Sequence, residues 1–241
     1  MHLLQVKITE SKIMKRFIKS ILRNCYIGLA LLSKIFSREN LYDWLSVEVY
    51  KLKPGSVVLN IGASGKMDEL IRGNKELNII SIDIDPDKNP DIVMDATELT
   101  FENNHFDAVF MMEVLEHVKT PHMAVNEIER VLKKDGTFIM STPFVFGIHE
   151  EPYDFFRFTK YGLKHLFINF TDVELRARNG YYGSIVVLFM RSIFSPGKLQ
   201  QAIGGLLIII GFPFFLSLVL LDRLVKDDRA TTGYFVTCKK S

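Results

Sequence analysis

The sequence predicts an α/β fold, a Rossmann-like doubly wound sheet with mostly parallel strands. Three observations carry that reading. Val57-Val58-Leu59-Asn60-Ile61 is a short, nearly continuous apolar run, which suits a strand buried on both faces. It ends in a glycine turn, Gly62-Ala63-Ser64-Gly65-Lys66, after which Met67-Asp68-Glu69-Leu70-Ile71 restarts at helical spacing. Further apolar runs then alternate with helical stretches, the pattern of a parallel sheet that opens its ligand crevice at the carboxyl ends of its strands.

With 241 residues, 48% of them hydrophobic, the chain can bury a sizeable core as one domain with additions. Net charge is +2, so the composition carries no nucleic-acid signal. The charge is uneven. Residues 1–53 hold 10 Lys/Arg against 4 Asp/Glu, a local +6, and the remainder holds 20 against 24. Cys25 and Cys238 are the only cysteines, too few for a disulfide framework, and they fit a reducing cytoplasm.

Residues 11–38 read as a basic amphipathic helix. Ile13, Phe17, Ile21, Cys25, Leu29, Leu32 and Phe36 recur at helical steps, with Lys12, Lys15, Arg16, Lys19 and Arg23 mostly off that stripe. The helix either covers the core or lies on an anionic membrane surface. A second helix, from about Leu41 to Leu52, leads into Pro54-Gly55 and opens the main domain. Residues 1–40 are thus an extension and 41–241 the domain.

The second strand is Leu77 to Asp83. Its terminal Asp83, about 20 residues past the glycine turn, stands where nucleotide folds place an acid for ribose hydroxyls. A third strand, Ile92 to Ala96, ends near Asp95. A fourth, Phe106 to Met112, runs into Glu113-Val114-Leu115-Glu116-His117-Val118. Thr120-Pro121 opens a helix with Thr120 as N-cap, which closes at Lys133-Lys134-Asp135-Gly136 before a fifth strand, Thr137 to Ser141. Thr159 starts another helix. Val173 to Arg178 and Thr232 to Cys238 read as the last strands.

These motifs together resemble the class I S-adenosylmethionine-dependent methyltransferases, in the subgroup with many enzymes that methylate small molecules, lipids and sugars. The resemblance covers roughly residues 55–180. It rests on VLNIGASGK, SIDIDPD, VMDATEL, FDAVFMMEVLEHV and the LKKDG that precedes TFIMSTPF. It implies an antiparallel last strand and S-adenosyl-L-methionine as cofactor. Carried over by position, Asn60, Gly62, Ala63, Ser64 and Gly65 would approach the methionine end. Asp83 with Ile84 would hold the ribose side, Asp95 with Ala96 the adenine, and Glu113 with Val114 would close the pocket. Two positions depart from the family: an acid is usual where Asn60 stands, and a glycine where Ser64 stands.

Residues 143–159 follow the fifth strand and interleave polar groups with aromatics. Methyl transfer to oxygen needs an aligned acceptor and a route for its proton. His149 is a candidate base by its titration range, Asp154 could orient it, and Arg157 could hold an anion or pair with Asp154. Tyr153 joins these as a substrate-side residue. His117 is the rival base. The six histidines display no zinc spacing, so the sequence predicts no metal.

Ala202 to Leu221 is 20 residues without a charge, long enough to cross a bilayer. A single crossing would strand the last strand on the wrong side. Gly211-Phe212-Pro213 breaks the run, so the sequence predicts a helical hairpin within 199–227 that dips into one leaflet. Packing on the domain or in a homodimer is the alternative.

The expected function is O-methylation of a small-molecule, lipid-linked or glycan acceptor by a cytoplasmic enzyme bound peripherally or monotopically to a membrane through 11–38 and 199–227. A non-catalytic binding module is the second reading, motivated by Asn60 and Ser64. A nicotinamide-dependent oxidoreductase is the third, since it shares the first turn.

Overall fold

A computed structural model of the chain describes residues 40–194 and 197–241, together with Asn24 and Gly28. The basic stretch 11–38 and the extension 1–40 therefore fall almost wholly outside the described residues.

Residues 40–51 form helix α1. The elements that follow are β1 (Val57–Ile61), α2 (Gly65–Gly73), β2 (Asn78–Asp83), β3 (Ile92–Val93), β4 (Phe106–Met112), α3 (Pro121–Val131) and β5 (Leu132–Pro143). Then come α4 (Lys160–Leu166), β6 (Phe170–Ala177), α5 (Tyr181–Arg191), α6 (Lys198–Leu224) and β7 (Gly233–Lys240). The seven strands make one sheet in the order β3-β2-β1-β4-β5-β7-β6. β7 alone runs antiparallel, wedged between β5 and β6. The strand order reverses between β1 and β4, and this switch point, where folds of this kind have their ligand crevice, lies beside Gly62.

The sheet is covered on both faces because its central strands are apolar on both. Leu59, Ile61, Val109 and Met111 pack with Ala124 and Ile128 of α3 and Leu163 of α4. The alternate residues Val58, Ala108, Phe110 and Met112 pack with Leu41, Trp44 and Leu45 of α1 and Ile71 of α2. Trp44 stacks on Phe235 with ring centres 4.5 Å apart.

Several boundaries differ from expectation. β3 stops at Val93: Asp95 instead accepts the Thr97 N–H and hydroxyl in an Asx turn, which takes the chain out of the sheet. β5 starts at Leu132, because Asp135 adopts φ 61° and bulges the chain without ending the pairing with β4. Thr120 precedes Pro121 of α3, but its side chain makes no capping hydrogen bond. Thr159 does cap α4, accepting from the Gly162 N–H at 3.0 Å.

The largest correction concerns the apolar insertion. α6 runs unbroken through Pro213. Ile208 and Phe215, on either side of the proline, are both buried against α5, and that packing holds the helix together across the missing hydrogen bond. The hairpin expected within 199–227 is not formed; α6 instead packs against the preceding helix α5. Arg178 N–H donates to Gly233 O at 3.0 Å, so the excursion leaves and rejoins the sheet at one spot. α6 therefore does not carry β7 to the far side of a bilayer. The Asp222 carboxylate clamps the base by accepting from the Gly180 and Gly183 N–H groups at 3.0 and 2.8 Å. Among the described residues α6 is the one helix long and apolar enough to cross a membrane, with mean hydropathy 2.6 in its most apolar window.

Candidate active site

The crevice is built by the turn after β1. Gly62 adopts φ 95° and Gly65 φ 66°, both in the region that glycine tolerates best. At Gly62 an added Cβ would run into Val114 Cγ2, so Val114 lies directly over this turn. At Gly65 nothing lies within 4 Å of an added Cβ. Ser64 is exposed and Lys66 is drawn away, its ammonium 4.6 Å from the Tyr42 ring centre. Neither fills the cradle.

Asp83, at the end of β2, bridges the next loop to this one. Its Oδ2 accepts from the Ala63 N–H and its Oδ1 from the Asp85 N–H, each at 3.0 Å. Ile84 beside it is 69% exposed, an unusual place for a large apolar side chain unless something flat rests on it. Ala96 is buried. Asn60 is committed elsewhere: its amide donates to Asp68 in α2 at 2.7 Å. Asp68 is in turn held by Arg72, which also reaches Asp91 and Ser81. Asn60 thus ties β1 to α2, because its side chain points to the α2 face of the sheet.

Glu113 ends β4 with φ 55°, a strained setting for a side-chain-bearing residue. Both carboxylate oxygens pair with the Arg178 guanidinium, and Ser141 Oγ donates to Oε1 at 2.9 Å. Glu116, one turn on, is wholly buried. Burial, and then repulsion from Glu113, push its carboxyl well above the usual range.

The loop after β5 folds back over this turn. The Phe155 and Phe156 N–H groups donate to the Glu116 carbonyl at 3.0 and 3.2 Å, and the His117 and His149 rings stand 4.9 Å apart. Arg157 grips Asp154 with both guanidinium nitrogens, at 2.5 and 2.6 Å, and holds its carboxyl down at about 2. Asp154 receives the His149 N–H at 2.9 Å and lies 3.3 Å from its ring Nδ1. Burial lowers the His149 pKa, which favours the neutral ring. Arg157 therefore pairs with Asp154, and both brace His149. Tyr153 is exposed at the rim. Spacing did not single out Glu116. The exposed-looking EVLEHV stretch gives no sign that this one acid turns inward beside two histidines 32 residues apart.

A recess of about 350 Å³ lies elsewhere, between α1 and the Arg176–Arg178 segment. Its lining includes Arg178, the partner of Glu113, so it approaches the end of β4 from the α1 side.

The sheet order and the glycine turn at its switch point now meet an independent observation. Residues 47–140 match a family described as a methyltransferase domain. Over these residues the chain is similar to that methyltransferase family. No curated protein matches the sequence. Solved structures share the fold. One is a SAM-dependent methyltransferase from Archaeoglobus fulgidus, 15% identical, with 87% of this chain and 98% of that one aligned at TM-score 0.56. Another is phosphoethanolamine N-methyltransferase 2 of Haemonchus contortus with S-adenosyl-L-methionine, 18% identical at TM-score 0.54. That alignment covers 81% of this chain and 52% of that one, so the chain spans about half its length. A third is the [4+2]-cyclase SpnF, 17% identical, covering 82% and 80% at TM-score 0.54.

Proposed function

We propose that the chain is an S-adenosylmethionine-dependent enzyme that methylates an oxygen of a lipid-linked or glycan acceptor at a membrane surface. The observation that carries the cofactor assignment is the glycine turn at Gly62–Gly65, open at Gly65, with the Asp83 carboxylate tied to its rim. Gly62, Ala63 and Gly65 would admit the methionine end, Asp83 would take the ribose hydroxyls, and Ile84 would underlie the adenine. The bound cofactor supplies an electrophilic sulfonium methyl. The chain aligns the acceptor and handles its proton, and the His117–His149 wall beside Val114 is placed for that.

Calorimetry with S-adenosylhomocysteine tests the assignment. Asp83→Ala removes a charged hydrogen-bond acceptor, worth about 1.5–3 kcal/mol, so cofactor affinity should fall roughly 10–150-fold. Unchanged affinity would remove Asp83 from the site. No binding by the unaltered protein at millimolar ligand would favour the non-catalytic module that Asn60 and Ser64 suggest.

The membrane part rests on the α5–α6 hairpin. Its arms bury Val186, Met190, Ile193, Ile208, Phe215 and Leu218 between themselves, yet leave Leu206, Ile210 and Phe214 exposed. At about 1.5 Å per residue α5 with its following turn reaches only some 21 Å, too short for a 30 Å hydrocarbon core. An in-plane or one-leaflet seat on the cytoplasmic face fits both arms, and the basic N-terminal region adds a second anchor. Arg191, at the end of α5, stacks over Phe146 of the loop after β5 at 4.1 Å, which supports a hairpin seated beside an acceptor entrance in that loop. Vesicles with anionic lipid should pellet the protein. Leu206→Ser, Ile210→Ser and Phe214→Ser together should weaken this by at least about 10-fold with little change in thermal stability. Retention of binding in that triple variant would rule the hairpin out as the anchor. A monomer that becomes soluble from a former dimer would assign the face to self-association.

A further inference from the structure

Glu116 has no exposed surface, and its Oε1 has no hydrogen-bond partner, while Oε2 accepts from Thr142 Oγ1 at 3.2 Å. A bare carboxylate oxygen in the protein interior is costly and calls for an occupant. Two ring nitrogens face it: His117 Nε2 at 3.8 Å and His149 Nε2 at 4.0 Å. The group lies within 4.8 Å throughout.

The opposite nitrogen of each ring already has an oxygen acceptor. His117 Nδ1 is 2.7 Å from the Tyr153 carbonyl. A carbonyl only accepts, so Nδ1 carries the proton and Nε2 keeps a lone pair. His149 Nδ1 is 3.3 Å from the Gly147 carbonyl and 3.3 Å from Asp154 Oδ2, with an Arg157 nitrogen farther off at 3.5 Å, so the two nearer acceptors favour the same tautomer. Three potential ligand atoms thus converge, at distances too long for hydrogen bonds between the carboxyl oxygen and either ring. Two imidazoles and one carboxylate, each ring backed by an oxygen, is how proteins hold divalent transition metals.

We propose that Glu116 Oε1, His117 Nε2 and His149 Nε2 bind one divalent transition-metal ion, and that its open positions take the acceptor oxygen. Bonds of about 2.0–2.2 Å would draw the three atoms together by less than about 1 Å. Imidazole donors favour zinc, cobalt, iron or nickel over magnesium, calcium or manganese. The sequence hides the site because His117 and His149 sit on separate loops that only the fold joins.

The acceptor role rests on the methyltransferase reading; the metal site does not. On the ion, the acceptor hydroxyl releases its proton to solvent. The resulting alkoxide forms the O–CH3 bond as the C–S bond breaks, and that electron pair stays on sulfur. His149 Nε2, bound to metal, then is not the base.

The test titrates the chelator-stripped full chain with Co²⁺, following visible d–d absorption, and with Zn²⁺ by calorimetry. One equivalent of saturable binding is expected, weakened roughly 10–100-fold by Glu116→Gln and by Asp154→Asn, which only unbraces His149. Cooperative thermal unfolding, raised by metal in the unaltered protein, is the parallel readout. Absence of saturable uptake by the unaltered protein overturns the site, whatever the variants do. Equal affinity in both variants overturns it too. S-adenosylhomocysteine binding without metal uptake would keep the enzyme and remove the ion. Metal uptake without cofactor binding would keep the ion and remove the methyl transfer.

Discussion

Arg178→Met is expected to destabilise the protein by about 3–5 kcal/mol, the usual result of removing one partner of a buried ion pair. The Arg178 side chain is 5% exposed and that of Glu113 13%, so water does little to replace the lost cation. Glu113 would be left beside the buried Glu116, two carboxylates without the guanidinium that separates them from mutual repulsion. Arg178 also lies over the Phe235 ring, 5.6 Å from its centre, and its main chain ties β6 to β7. The midpoint of urea unfolding reads the change. Glu113→Gln placed in the Arg178→Met background should recover part of it, because the uncompensated charge, more than the lost pairing, carries the cost. A loss under about 1 kcal/mol would mean that the pair tolerates solvent and that Glu113 is held by Ser141 alone.

Gly62→Ala is expected to be the most damaging change at the cofactor cradle. The new methyl would overlap Val114 Cγ2, and alanine would be forced to φ 95°. Backbone strain of that kind costs on the order of 1–3 kcal/mol before the overlap is counted. Both unfolding stability and cofactor affinity should fall, the latter by at least about 10-fold, since a shift of the turn moves Ala63 N–H off Asp83. Val114→Ala in the same background relieves the overlap but not φ, so it should restore part of the stability. Full restoration would show that the turn has no conformational demand of its own.

The sheet was readable in the sequence because its central strands are buried on both faces and so spell continuous apolar runs: Val57–Ile61 and Phe106–Met112 coincide with the expected stretches. The strand edges were less readable. Asp95 and Asp135 each redirect the chain through a local hydrogen bond or a left-handed residue that apolar periodicity does not register. Pro213 misled for a related reason. Its effect depends on whether Ile208 and Phe215 find a partner helix, and α5 is a separate segment of the chain. The Asp154–Arg157 pair was legible in the sequence, and it is formed. Asn60 was expected to face the cofactor, and its amide donates to Asp68 of α2; Glu116 was not singled out, and its side chain has no exposed surface. Inward or outward orientation in a short turn such as 115–117 is set by what folds over it, here Phe155 and Phe156.

β7 occupies the slot between two strands that are both made before it. As the polypeptide leaves the ribosome, β5 and β6 wait as neighbours without a bridge. The greasy α5–α6 arm is finished while that gap is still open. The central ladder between β5 and β6 can therefore close only after the whole α5–α6 arm has been made.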